Sequence, residues 1–78
     1  INPGGYAHTS VVIRDALELY KNIKVEVHLS HLAKREEFRQ QLITASACDG
    51  YLSGFKELGY IAAVELIKES LSKGRKND

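Results

Sequence analysis

Seventy-eight residues, 44% hydrophobic and 27% charged, allow one compact unit at most and have the composition of a globular chain, not a disordered one. Eleven Lys and Arg against ten Asp and Glu leave a net charge of +1, too balanced for a nucleic-acid binder or a polybasic membrane anchor. The one cysteine, Cys48, excludes an internal disulfide and a cysteine-based zinc site, and no apolar run nears the roughly 20 residues that cross a bilayer, so a cytoplasmic setting is expected.

The chain opens with Ile1 and then Asn2-Pro3-Gly4-Gly5, without Met. Ile1 reads as the last position of a strand, and the whole as a fragment or a processed chain. Residues 2–8 hold the only proline and two of the six glycines, which marks a loop. Thr9 or Ser10 then offers an N-cap hydroxyl. Val11, Val12, Ala16, Leu17 and Tyr20 follow at helical spacing, with Arg14, Asp15, Glu18 and Lys21 on the other face. This helix is expected to end near Asn22.

Residues 23–30 give the clearest strand. Ile23, Val25, Val27 and Leu29 alternate with Lys24, Glu26, His28 and Ser30. A parallel strand is normally apolar on both faces, so a face carrying Glu and His has a reason to be polar. Residues 31–41 read as a loop and a short charged helix, and residues 49–53 as a weak strand. A last helix over about 57–72 shows a wide apolar face built on Leu58, Ile61, Val64 and Ile67. Residues 73–78 read as a mobile polar tail. Alternation of strands and helices predicts an α/β fold with a parallel sheet. Two strands and a stub make a poor sheet, and the pattern calls for further strands from an N-terminal segment.

In open α/β sheets ligands collect at the carboxyl ends of the strands. There the sequence places two unusual segments, Asn2 to Ser10 and Glu26-Val27-His28-Leu29-Ser30. Carried on neighbouring strands, Asn2, His8, Glu26, His28 and Ser30 converge on one crevice, beside the donor end of the first helix. Each has a plain structural alternative. Pro3-Gly4-Gly5 serves equally as a turn, Asn2 as a turn asparagine bonding its own backbone, and His8 as a solvated loop residue. Glu26 and His28 fit an edge-strand polar face, or a working pair in which the carboxylate orients the imidazole and favours its protonated form. That form is what a general acid requires. His28 and His31 point to opposite faces of a strand, which argues against a metal. Arg39, in a charged run, offers a fixed fork of donors. Cys48 has no base partner and reads as packing.

The blocks Asn2-Pro3-Gly4-Gly5-Tyr6-Ala7-His8-Thr9-Ser10, Ile13-Arg14-Asp15-Ala16, Glu26-Val27-His28-Leu29-Ser30 and Arg35-Glu36-Glu37-Phe38-Arg39 resemble type II dehydroquinase (3-dehydroquinate dehydratase). Ser53-Gly54-Phe55 and Leu58-Gly59-Tyr60 resemble it too, so the likeness runs along nearly all of the chain. It implies a flavodoxin-like parallel sheet flanked by helices, of which residues 1–72 supply the C-terminal half. It also implies a trimer-based homo-dodecamer, the cofactor-free trans dehydration of 3-dehydroquinate to 3-dehydroshikimate, and a place in aromatic biosynthesis or quinate breakdown. By position, His28 resembles the general acid and Glu26 its carboxylate partner. Asn2 and His8 resemble ligands of substrate hydroxyls. Leu29 and Ser30 stand where backbone N–H groups and the serine hydroxyl hold the substrate carboxylate. Arg39 stands where ring hydroxyls are bound, and Asp15 where an acid reaches a neighbouring subunit's site, while Arg35 resembles a structural residue. The sequence departs at His31, where the family has Asn, and at Ala33-Lys34, where it has His-Ala. The family's Asn-Gly-Pro-Asn strand, and its lid loop with a catalytic Arg and the Tyr base, have no counterpart among the 78 residues. The chain alone is therefore expected to be inactive, and a non-catalytic α/β binding or assembly module is the alternative.

Overall fold

The computed structural model describes residues 1–74. A 3₁₀ turn over Gly4–His8 leads into helix α1 (Val11–Leu19) and strand β1 (Val25–His28). Three 3₁₀ turns follow, at Leu32–Lys34, Glu37–Gln40 and Thr44–Ala47, and then strand β2 (Gly50–Ser53) and helix α2 (Leu58–Ser72). The strands pair in parallel, Val25 opposite Gly50 through His28 opposite Ser53. On the other edge of β1 the Ile1 amine donates to the Val25 carbonyl at 3.0 Å, and the Ile1 carbonyl accepts from the Val27 N–H at 2.8 Å. Those two bonds bracket Glu26 as a parallel neighbour does, so the backbone of Ile1 pairs with the edge of β1 that β2 leaves open.

α1 starts where the hydroxyl of Ser10 accepts from the Ile13 N–H at 3.0 Å. It stops at Leu19, three residues before the expected Asn22. Lys24 explains the early stop. Its ammonium donates to the carbonyls of Leu17 (3.0 Å) and Tyr20 (2.8 Å), satisfying groups that a longer helix would have used itself.

β1 is also shorter than the predicted 23–30. At its start the Asp49 carboxylate takes the Lys24 N–H at 2.7 Å, so a side chain replaces the ladder there. At its end the last residue of β2 and the β2–α2 loop capture the carbonyls. Gly54 N–H donates to His28, Lys56 N–H to Leu29, and the Ser53 hydroxyl to Ser30. Leu29 and Ser30 therefore leave the sheet as an exposed bend.

Val27 faces α2, which approaches so closely that a Cβ on Gly59 would sit 3.0 Å from Val27 Cγ1. The wide apolar face expected of α2 is not buried. Gly59 and Ala63 are its buried residues, whereas Leu58, Ile61, Val64 and Leu71 are each at least 60% exposed. A sheet this narrow covers only the small-residue strip of the helix, and the larger side chains overhang it. The core is correspondingly small: Ala7, Val27, Leu32, Ala47 and Ala63. No helix among the described residues is long and apolar enough to cross a membrane. Lys73 ends α2 through a bond from its N–H to Glu69 O, and the rest of the expected tail, residues 75–78, lies outside the described residues.

Candidate active site

The face of β1 opposite α2 carries Glu26 and His28, and both are buried. His28 Nε2 lies 2.6 Å from Glu26 Oε2, so the imidazole donates to the carboxylate. The other oxygen, Oε1, accepts the Thr44 hydroxyl at 2.5 Å. Burying a carboxylate at 0% exposure is costly unless its oxygens are satisfied, and here donors meet both. With Nε2 committed to Glu26, Nδ1 is the ring nitrogen left to give up or take a proton.

His8 joins this pair from the first 3₁₀ turn. Its ring is stacked with that of His28 at a centroid distance of 6.3 Å, and its Nδ1 donates to the Gln41 carbonyl at 2.8 Å. It is 6% exposed, so the solvated loop histidine is excluded. The edge-to-face contact of Phe38 with His8, at 6.1 Å, carries the cluster outward, and the Arg39 guanidinium lies 4.8 Å from the Phe38 ring centre.

Arg39 is aimed by Glu36. Its Nε donates to Glu36 Oε2 at 2.9 Å, while Arg35 donates to Oε1 at 3.3 Å. The hydrogen bond from Arg39, foremost, lowers the Glu36 pKa from an ordinary 4.5 to about 2. Arg35 also reaches the Ser30 hydroxyl at 3.2 Å, linking the exposed bend after β1 to the arginine pair. The run that reads in sequence as a charged helical face is thus two 3₁₀ turns that present guanidinium groups. An open cavity of about 410 Å³ lies beside it, lined by Arg39, His31, Gln40, Tyr51, Ser53 and Phe55 among others. Neither His8 nor His28 lines that cavity.

Two expected site residues stand apart from the histidine cluster. Asn2 is exposed, and its side chain is engaged by its neighbours: Oδ1 accepts the Gly4 N–H at 3.1 Å and Nδ2 donates to the Tyr60 hydroxyl at 2.8 Å. It is a turn asparagine and a partner of α2 at once. Asp15 is exposed on α1 and lies 3.7 Å from Arg14. His8, Glu26 and His28 come together, Arg39 is linked to them through Phe38, Leu29 and Ser30 follow His28 in the bend, and the partners of Asn2 and Asp15 are Gly4, Tyr60 and Arg14. Among the described residues no set of three or more His, Cys, Asp and Glu is arranged to hold a metal.

Thr44 and Glu36 are the residues that sequence reasoning missed beside the expected site residues, and Tyr60 is the missed partner of Asn2. Thr44 lies in a run of small residues with no periodicity to mark it. Tyr60 sits one step past a glycine that only packing explains. Glu36 had a signal, since an acid between Arg35 and Arg39 at one- and three-residue spacing can reach both. Cys48 donates weakly to the Thr44 carbonyl at 3.7 Å. Burial first, and then the Glu26 charge, push its thiol pKa above the ordinary value, as suits packing rather than nucleophilic attack.

The family model for dehydroquinase class II matches residues 1–68. A 3-dehydroquinate dehydratase of Thermotoga petrophila is 52% identical over 73 residues, covering 94% of this chain and 51% of that protein. One from Carboxydothermus hydrogenoformans is 50% identical over 78 residues, covering 95% and 51%. In structure, the type II dehydroquinase of Butyrivibrio crossotus superposes with a TM-score of 0.82 at 42% identity, over 87% of this chain and 48% of that one. That of Propionibacterium acnes gives 0.83 at 34%, over 86% and 49%. The chain spans about half the length of the curated relatives it matches. On sequence and on structure alike, it belongs to the class II dehydroquinase family.

Proposed function

We propose that these residues form the acid side and the substrate clamp of a site that dehydrates 3-dehydroquinate to 3-dehydroshikimate. The observation that carries the reading is the buried Glu26–His28 pair at 2.6 Å, which leaves Nδ1 as the nitrogen available for proton transfer. A base outside this chain, a tyrosine in the family resembled, removes the proton next to the ketone and forms an enolate. As the enolate collapses to the conjugated enone, the C–O bond to the leaving hydroxyl breaks. His28 Nδ1 supplies the proton that turns that hydroxyl into water. The ring then rests as the Nε2–H tautomer, already donated to Glu26. Positioned acid catalysis of this kind contributes about a hundredfold or more.

Binding in this reading falls to the flanking groups. The backbone N–H groups of Leu29 and Ser30, with the Ser30 hydroxyl, take the substrate carboxylate. Arg39 takes ring hydroxyls, its planar fork held in place by Glu36. His8 and Asn2 take further hydroxyls, and for Asn2 this requires release of the Tyr60 hydroxyl. Asp15, on the exposed face of α1, reaches the site of a neighbouring subunit in a trimer-based dodecamer. The lid and the base come from an N-terminal half that precedes these residues in the whole protein. Exposed Leu58, Ile61 and Val64 on α2 support a larger assembly around this chain.

The test is to assay the full-length protein for the conjugated enone from dehydroquinate, alongside a direct measurement of dehydroquinate binding. Turnover supports the enzyme. Binding without turnover in that intact protein favours the non-catalytic module and overturns the reading.

A further inference from the structure

We propose that Thr44 is a positioning residue that sets the Glu26–His28 pair for proton transfer, an inference that rests on the acid role of His28 given above. Glu26 has a soft terminal torsion, so its carboxylate plane is not fixed by rotamer preference alone. At 0% exposure no bulk water orients it either. Two groups do so: Thr44 on Oε1 and His28 on Oε2. Ionised Glu26 only accepts, so the Thr44 hydroxyl must donate. That donation aims the second oxygen at His28 Nε2 and thereby faces Nδ1 away from the carboxylate.

Thr44 is suited to this by its own anchorage. It is fully buried at the start of the third of the 3₁₀ turns that follow β1. The residue before it, Ile43, donates its N–H to the Ala7 carbonyl at 2.7 Å, next in sequence to His8. Two residues on, the Ser46 hydroxyl accepts from Arg14 Nε at 3.0 Å, tying the turn to α1. A β-branched side chain has few rotamers, so the hydroxyl points one way. One turn thus registers the carboxylate of β1 against the segment that carries His8. A residue that only filled space would need the methyl of Thr44 and not its hydroxyl.

The experiment compares Thr44→Val, which keeps the shape and removes the donor, with Thr44→Ser, which keeps the donor, in the full-length protein. Thr44→Val is expected to lower kcat about ten- to a hundredfold, the scale of leaving a buried charged acceptor unpaired, with KM changed less than about threefold. Thr44→Ser is expected to restore most of kcat. By proton NMR, the His28 Nε2 proton should exchange slowly in the wild type and in Thr44→Ser, and rapidly in Thr44→Val, with the amide spectrum otherwise retained. Equal kcat and equal protection in wild type and Thr44→Val overturn the proposal. If Thr44→Val does not fold, Thr44→Ser decides: loss of kcat and of proton protection there assigns the role to the methyl and overturns it, and retention supports it. A wild-type protein without turnover would refute the enzymatic reading, whereas the exchange comparison still tests what Thr44 does to His28.

Discussion

Glu26 and His28 stand two residues apart on one face of β1, joined by a 2.6 Å hydrogen bond that is shielded from solvent on both sides. Period-two spacing puts them on the same face, and the turn at Thr44–Ala47 reaches Glu26 through the Thr44 hydroxyl. Replacing Glu26 with Gln keeps the shape but puts an NH₂ group in place of one of the two oxygens that accept from His28 and Thr44, which disturbs the bond that orients the imidazole. Turnover is expected to fall about a hundredfold, within the usual range for a compromised general acid, with dehydroquinate affinity less affected. Steady-state kinetics on purified Glu26→Gln check this, and unchanged kcat would count against the pair.

Arg39→Ala has two readouts. The KM for dehydroquinate is expected to rise tenfold or more, since a charge-assisted clamp is removed. The Glu36 pKa should also rise from about 2, because the Arg39 hydrogen bond is the foremost cause of its depression, with its backbone hydrogen bond and Arg35 still lowering it. The sign follows from linkage: a depressed carboxylate contributes stability above its unfolded value and loses it as pH falls towards 2. Carboxyl NMR titration of wild type and variant measures the shift. A Glu36 that titrates identically in both removes Arg39 as its partner.

Cys48 is expected to react slowly. Its raised thiol pKa, from burial and then from the Glu26 charge, leaves little thiolate at neutral pH. Iodoacetamide at pH 7.5 should modify it several-fold more slowly than glutathione under the same conditions. Faster labelling than glutathione would mean a reactive thiol and contradict a packing role.

Gly54 tests the loop that caps β1. Its φ is +98°, and a Cβ there would meet His31 Nδ1 at 3.0 Å and the His31 Cα at 3.3 Å. Gly54→Ala combines backbone strain with a contact against main chain, and is expected to cost about 1–3 kcal/mol. Denaturant melts measure it. No loss of stability would mean that this turn is not held as described.

Much of the fold could be read from residues with strong local signals. Alternation at residues 23–30 marks β1, and the hydroxyls of Thr9 and Ser10 mark the start of α1, where the structure uses Ser10. What escaped were contributions from side chains distant in sequence. Lys24 ends α1 from beyond it, Asp49 delays β1, and the β2–α2 loop ends β1 early, none of which shows in periodicity. The site divides in the same way. Glu26 and His28 declare themselves by spacing on one strand, whereas Thr44 reaches them from eighteen residues away in sequence. Asn2 reads as a substrate ligand by resemblance and as a turn asparagine by chemistry; the structure places it in the turn, with Tyr60 on its amide.

The most direct measurement is enone formation from dehydroquinate by the full-length protein and by its His28→Ala variant, with assembly followed in parallel by sedimentation. The account predicts turnover in the first, loss of about a hundredfold or more in the second, and the same assembly in both. A His28→Ala protein that turns over at the wild-type rate would contradict it.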